Sequence, residues 1–232
     1  MAPGAEAKSL ITQAQGGSYS TTQDCLHHSV WDTRWFGVTP SDTTFFTQPI
    51  GASWAVPGCT VGSKTKNETN LADTGKLPQG QNFLAQRVGV ALISSYDVLT
   101  TGASSGWADP VLIAQAFYNI LQASVFDIVI AGKAFDAEIH GRQFLPCLAL
   151  NGHTASSVGN STRNGDSLAS GWIKLDPTPI TLSSLVSFSV TMSTQVGNAT
   201  VAAAAITNSY AYLSARLCTM IVTLEGFLTR MK

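Results

Sequence analysis

Charge is what this 232-residue chain has least of. Asp, Glu, Lys and Arg make up 12% of it, against about a quarter in an ordinary globular domain. The 13 Lys+Arg and 14 Asp+Glu nearly cancel, leaving a formal charge of -1. That balance excludes a broad basic face for nucleic acid. It equally excludes an acidic tail or a polybasic membrane anchor. Long apolar runs are missing too: no window of about 18 uninterrupted apolar residues occurs, so no transmembrane helix is predicted. Met1–Gln15 lacks the apolar stretch of a secretory signal. Cysteine is sparse and scattered. Cys25, Cys59, Cys147 and Cys218 form no C-x-x-C pair, which removes support for zinc or thioredoxin-like chemistry. Cys147 and Cys218 fall in apolar runs and are expected as buried thiols, with one or two disulfides as the alternative. Without a secretory signal, the N-x-S/T triplets at Asn67, Asn160 and Asn198 carry little weight.

Much of the place of charge is taken by 24 Ser and 25 Thr. Hydrophobic residues are 44% and aromatics 9%, so the chain has the material for a core and is not a disordered composition. A length of 232 residues is enough to bury that core without metal or disulfide help. Free monomers stay soluble behind a mixed charged surface, and interface cores are depleted in Lys, Glu and Asp. A weakly charged chain is therefore suited to burying its surface against copies of itself. From Pro177 to Ala215 there is no charged side chain at all. That stretch reads equally as Ser/Thr-rich strands and loops or as a subunit interface.

Residues 1–20 form an Ala/Gly/Gln/Ser-rich arm, followed by one domain over 21–232 with long loops at about 58–80 and 151–170. Thr, Phe and Trp crowd Val30–Trp54 and suggest extended segments. Phe83–Ile93 alternates, and Leu84, Val88, Val90 and Leu92 form its apolar set, broken only at Gln86. One helix is predicted. Asp109 is its N-cap, Pro110 takes the first position, and Val111, Ala114, Phe117, Tyr118 and Leu121 carry the helical spacing to about Gln122. Val125–Ala131 reads as a strand, turning at Gly132-Lys133 into Phe135–Ile139, and Gly141–Pro146 leads to a further turn. Trp172–Leu175, Leu185–Met192 and Leu217–Leu228 read as strands. Ala202–Ala205 is equally a short helix or a close-packed strand. Many short strands with Gly/Pro turns favour an all-β antiparallel sandwich or jelly roll. No alternating β and α units are visible.

Catalytic patterns fail on their mechanics. Gly102-Ala-Ser-Ser-Gly106 matches G-x-S-x-G, with Asp127 or Asp136 and His140 or His153 in hydrolase order. The elbow needs its helix immediately after Ser104, and Trp107, Ala108, Asp109 and Pro110 intervene. His27-His28 would point apart on a strand, and Asp24 and Asp32 are not at a metal spacing from them. Cys147 with His140 or His153 has no local signature. Asp136 and Glu138 read as exposed acids on a strand edge. No Gly-rich phosphate loop or basic-aromatic stripe occurs. No catalytic, cofactor or metal residue is predicted, and the chain is not expected to be an enzyme.

Three segments carry a resemblance: Glu68–Val90 (ETNLADTGKLPQGQNFLAQRVGV), Phe126–Phe135 (FDIVIAGKAF) leading to Leu145-Pro146, and Val222–Arg230 (VTLEGFLTR). In this order they are similar to a jelly-roll major capsid protein of tailless icosahedral bacteriophages, in the adenovirus-like capsid lineage. The resemblance spans roughly residues 40 to 230. It implies a single eight-stranded antiparallel jelly roll with one short helix in a connecting loop. It also implies a structural subunit that self-assembles into capsomers of an icosahedral shell around the genome. The implied location is the virion, after synthesis in the host cytoplasm. Partners implied are copies of the chain itself, a second capsid protein, penton or spike proteins and an internal membrane, with no sequence-specific nucleic acid and no cofactor. Asn70, Leu71, Leu77, Pro78, Val201 and Ile206 become candidate intersubunit contacts. The alternatives are another β-sandwich such as a spike, fibre or lectin-like module, with Trp107 or Trp172 stacking on sugar, and a serine hydrolase using Ser104.

Overall fold

A computed structural model describes residues 23–54, 62–93, 110–134, 139–147, 153–154, 161–162, 171–175, 179–195, 203–215 and 217–231. The strands are β1 (Gln23–Trp35), β2 (Thr43–Phe45), β3 (Ser53–Trp54), β4 (Gly62–Ser63), β5 (Gln81–Ile93), β6 (Ser124–Ile130), β7 (Lys133–Ala134), β8 (Ile139–His140), β9 (His153–Thr154), β10 (Ser161–Thr162), β11 (Trp172–Lys174), β12 (Ile180–Leu182), β13 (Phe188–Thr194) and β14 (Thr219–Met231). Helix α1 (Pro110–Gln122) lies between β5 and β6, and α2 (Ala203–Ala215) between β13 and β14. A 3-10 helix covers Gly141–Cys147.

The chain is mostly β, in antiparallel sheets. The first sheet runs β1-β14-β5, and the far edge of β5 takes β12 and then β11. The second runs β2-β13-β6, with β7 and β8 on the far edge of β6. Two-residue pairs β3·β4 and β9·β10 stand apart. The two large sheets share one apolar core: Val30, Phe83, Val88, Val222 and Leu224 come from the first, and Phe45, Phe126, Ile128, Val190 and Met192 from the second. Strands β6 and β13 bury every second side chain over most of their length, as alternation on a half-buried sheet requires.

Strand β5 departs from the expected alternation. Its core residues are Phe83 and Ala85, then Val88 and Val90, so the inward phase slips by one residue at Gln86-Arg87. The cause is a β-bulge: Glu225 pairs with Arg87 but Gly226 pairs with Ala85. A bulge puts one extra residue on one strand. Gly226 is required there, since a Cβ would stand 1.8 Å from the Leu84 carbonyl oxygen.

Helix α1 has the expected bounds, from Pro110 to Gln122, while Asp109 lies outside the described residues. Helix α2 corrects the expectation of a single helix. Its buried Ile206, Tyr210 and Leu213 sit at i, i+4 and i+7, one helical stripe, between polar Thr, Asn and Ser that dilute the pattern. The two helices pack on each other and close one end of the sandwich, where Phe36 meets the Phe117 ring at 6.1 Å and Tyr210 at 5.8 Å. Strand β13 begins three residues later than expected. Leu185 has φ 65° and its N–H donates to Leu77 O, while Val186 N–H donates to Ser183 O, so Ser184 and Leu185 form a turn. Likewise Leu217 (φ 51°) ends α2, and β14 starts at Thr219.

Candidate functional site along the covered edge of the first sheet

Residues 62–80 lie along the free edge of β1, and their polar side chains tie the loop to it. Asn70 works as a strand substitute. Its Oδ1 accepts from Trp31 N–H at 3.0 Å, its own N–H donates to Trp31 O, and its Nδ2 donates to Ser29 O at 2.7 Å. Thr69 Oγ1 also donates to Trp31 O. These contacts cover the middle of an edge that would otherwise present unpaired peptide groups.

Beneath the loop lies a buried ionic centre. Asp32 takes an inward position on β1, and Lys64 reaches it from just after β4. Their side chains are 0% exposed and Lys64 Nζ is 2.5 Å from Asp32 Oδ1. Nζ also donates to Thr33 O at 2.7 Å and sits 5.4 Å from the Trp54 ring. The second carboxylate oxygen, Oδ2, accepts from Phe46 N–H at 2.7 Å. That bond holds Phe46 in a left-handed conformation (φ 66°) that a bulky residue rarely adopts. In that pose Phe46 packs on Phe188. Arg34 Nε stands 3.7 Å from Oδ2, while its terminal nitrogens donate to Gln48 Oε1 and Thr47 Oγ1. Burial is the main influence on Lys64 and pushes its pKa down, against the pull of Asp32. Glu68, also buried, accepts from the Thr65 N–H and hydroxyl.

Next to this centre opens a groove of about 370 Å³. Its floor includes Val30, Leu71, Leu77 and Leu228, and its rim carries His28, Lys66 and Arg230. Burial, then Arg230 and His27, lower the His28 pKa. On the outer face of the first sheet, His27 Nε2 lies 2.9 Å from Glu225 Oε1, and Arg87 stands 4.0 Å from the other oxygen of that carboxylate.

A scan against known protein families finds no match. No curated protein is significantly similar in sequence. Function must therefore be argued from the residues and their geometry.

Of the six candidate intersubunit contacts, Leu71, Leu77 and Ile206 are core residues, each at most 3% exposed. They are spent inside the core of the chain itself, and this corrects their reading as surface contacts. Asn70 is half-buried and bonded to β1, Pro78 lines the groove, and Val201 lies outside the described residues. Ser104, Trp107, Asp136, Glu138 and Cys59 also lie outside them. Asp32 is committed to Lys64, and among the described residues no cluster of His, Cys, Asp and Glu could hold a metal ion. Trp172 lies flat over Gly89, where a Cβ would come within 2.7 Å of its ring, so its indole covers the sheet. Cys218 is buried in the core, as its apolar run predicts. Among the described residues no helix is long and apolar enough to cross a membrane.

The ionic centre escaped sequence reasoning. The available signal was local: an acid in the inward phase of Val30, Asp32 on a strand. Its partner, thirty-two residues on, leaves no periodic trace.

Proposed function

We propose that this chain is a structural subunit of an icosahedral virus shell, folded as a single jelly roll. The observation that carries the reading is strand order. A jelly roll is an antiparallel ribbon of pairs 1·8, 2·7, 3·6 and 4·5 wrapped into two facing sheets, ordered 1-8-3-6 and 2-7-4-5. With β1, β2, β5, β6, β7/β8, β11/β12, β13 and β14 as the eight successive strands, the pairings β1·β14, β2·β13, β5·β12 and β6·β8 follow that scheme. The cross-links β14·β5 and β13·β6 then complete each sheet. The three-segment resemblance to tailless-phage major capsid proteins agrees with this order.

Surface chemistry adds support. Only 12% of residues are charged, and Leu26, Val38, Ile50 and Leu185 remain exposed as large apolar side chains. Such a surface gains by contact with further copies. The partners proposed are other copies in a capsomer, with a second capsid protein, penton or spike proteins and an underlying membrane as further neighbours. The test is native mass by light scattering, with negative-stain images of the same sample. Capsomers or shell fragments are the expected result. A monodisperse monomer at high concentration, from a preparation that also fails to enter particles when co-expressed with its neighbouring virion genes, would overturn the reading.

A further inference from the structure

The Asp32–Lys64 centre has the composition of a reaction site as well as of an ion pair. Lys64 Nζ lies 2.5 Å from Asp32 Oδ1, which places the amine beside the carboxyl group it would attack. Both side chains are sealed from solvent. In that setting burial lowers the Lys64 pKa and so favours the neutral amine. A desolvated lysine is also the form in which the amine is a nucleophile.

The hydrogen-bond inventory points the same way. As an ammonium ion Lys64 has three protons, and the oxygens it reaches are Asp32 Oδ1 and Thr33 O. As a carboxylate Asp32 presents two oxygens, one facing Nζ and one accepting the Phe46 N–H. An amide joining Nζ to the Asp32 Cγ would keep one N–H and one C=O. Thr33 O is in place to accept from the first and Phe46 N–H to donate to the second. The groups around the pair thus satisfy the amide completely. Arg34 keeps the bonds of its terminal nitrogens to Gln48 and Thr47, and its Nε, 3.7 Å from Oδ2, would face the amide oxygen.

We infer that Lys64 and Asp32 form an intramolecular isopeptide bond after folding. The ammonium first passes a proton to Oδ1. The Nζ lone pair then attacks Cγ, and the oxygen that becomes negative is Oδ2, held by the Phe46 N–H as an oxyanion donor. Oδ1 takes a second proton from Nζ and leaves as water. One C–N bond forms, one C–O bond breaks, and no oxidant or external reactant is needed. The product ties β1 covalently to the loop that covers its edge.

Intact-mass spectrometry of the purified, denatured full chain is the test, followed by proteolysis and peptide sequencing. The expected mass is one water below that of the sequence, with a branched peptide joining the segments that contain residues 32 and 64. The Lys64→Met variant should keep its full mass. Wild-type protein at full mass, with Asp32 and Lys64 recovered in separate linear peptides, would overturn the inference. So would a water loss that persists in Lys64→Met. If that variant fails to fold, the branched peptide in the wild type decides alone.

Discussion

The helix-capped end of the sandwich and the loop-covered edge of β1 are closed by different physics. At the helix end, Phe36, Phe117 and Tyr210 stack edge to face, and a short hydroxyl relay runs beside them. Ser124 Oγ donates to Ile120 O at 2.7 Å, so it accepts from Thr194 Oγ1, which in turn accepts from the Tyr210 hydroxyl. Burial raises the Tyr210 pKa and keeps that hydroxyl a donor. Along the β1 edge, Asp32, Lys64, Arg34 and Asn70 hold the chain by charge and by hydrogen bonds to residues distant in sequence. The helix end can be softened by degrees, because apolar contacts are many and small. The covered edge concentrates its strength in a few groups whose partners have no substitutes.

Breaking each separately tests that contrast. Asp32→Ala is expected to cost about 3–5 kcal/mol, since it strands a buried Lys64 and the Phe46 N–H. Chemical denaturation would measure it, and the loss should persist at high salt because a buried pair is little screened. Phe117→Ala should cost a comparable ~3–5 kcal/mol through a cavity, but with a different response to refilling. Phe117→Leu should recover much of it, whereas Asp32→Leu should recover little while Lys64 remains. Asn70→Ala, which removes two bonds to β1, is expected to cost about 1–3 kcal/mol and to speed amide exchange at Trp31. Tyr210→Phe should cost about 1 kcal/mol, the value of one buried hydroxyl bond.

The smallest effect concerns pH. His28 has its folded pKa depressed below 6.5 by burial, Arg230 and His27. The unfolded chain therefore binds the extra proton first as pH falls below 6.5, and stability drops through that window. A melting-temperature series should lose part of this acid slope in His28→Gln. An unchanged slope would mean that the groove does not desolvate the ring.

These contrasts also explain what was legible beforehand. Helix α1 could be read because Pro110 marks its start and its apolar spacing is regular. The antiparallel all-β class followed from many short strand-like segments between Gly/Pro turns, with alternation clearest in the segments that became β5 and β13. Helix α2 was hidden because Ile206, Tyr210 and Leu213 are separated by residues that also suit strands. The slip in β5 was hidden because a bulge is made jointly with Gly226, far along the chain. Leu71, Leu77 and Ile206 were misplaced at an interface for a related reason: apolarity predicts burial but does not say against what. The Asp32–Lys64 centre is the extreme case, since neither residue alone signals the other.

The position of β14 has a further consequence. It lies between β1 and β5, pairing Thr219 with Trp35 on one side and with Ile93 on the other. During synthesis the first sheet cannot grow outward from its earliest strand, because the place beside β1 stays vacant until β14 emerges from the ribosome. Such non-local closure is slow compared with helix formation. A nascent chain truncated before β14 would expose the inner edges of β1 and β5 together, as a ready slot for any extended peptide. Strand β14 is thus the keystone of the first sheet, which closes only once that strand is made.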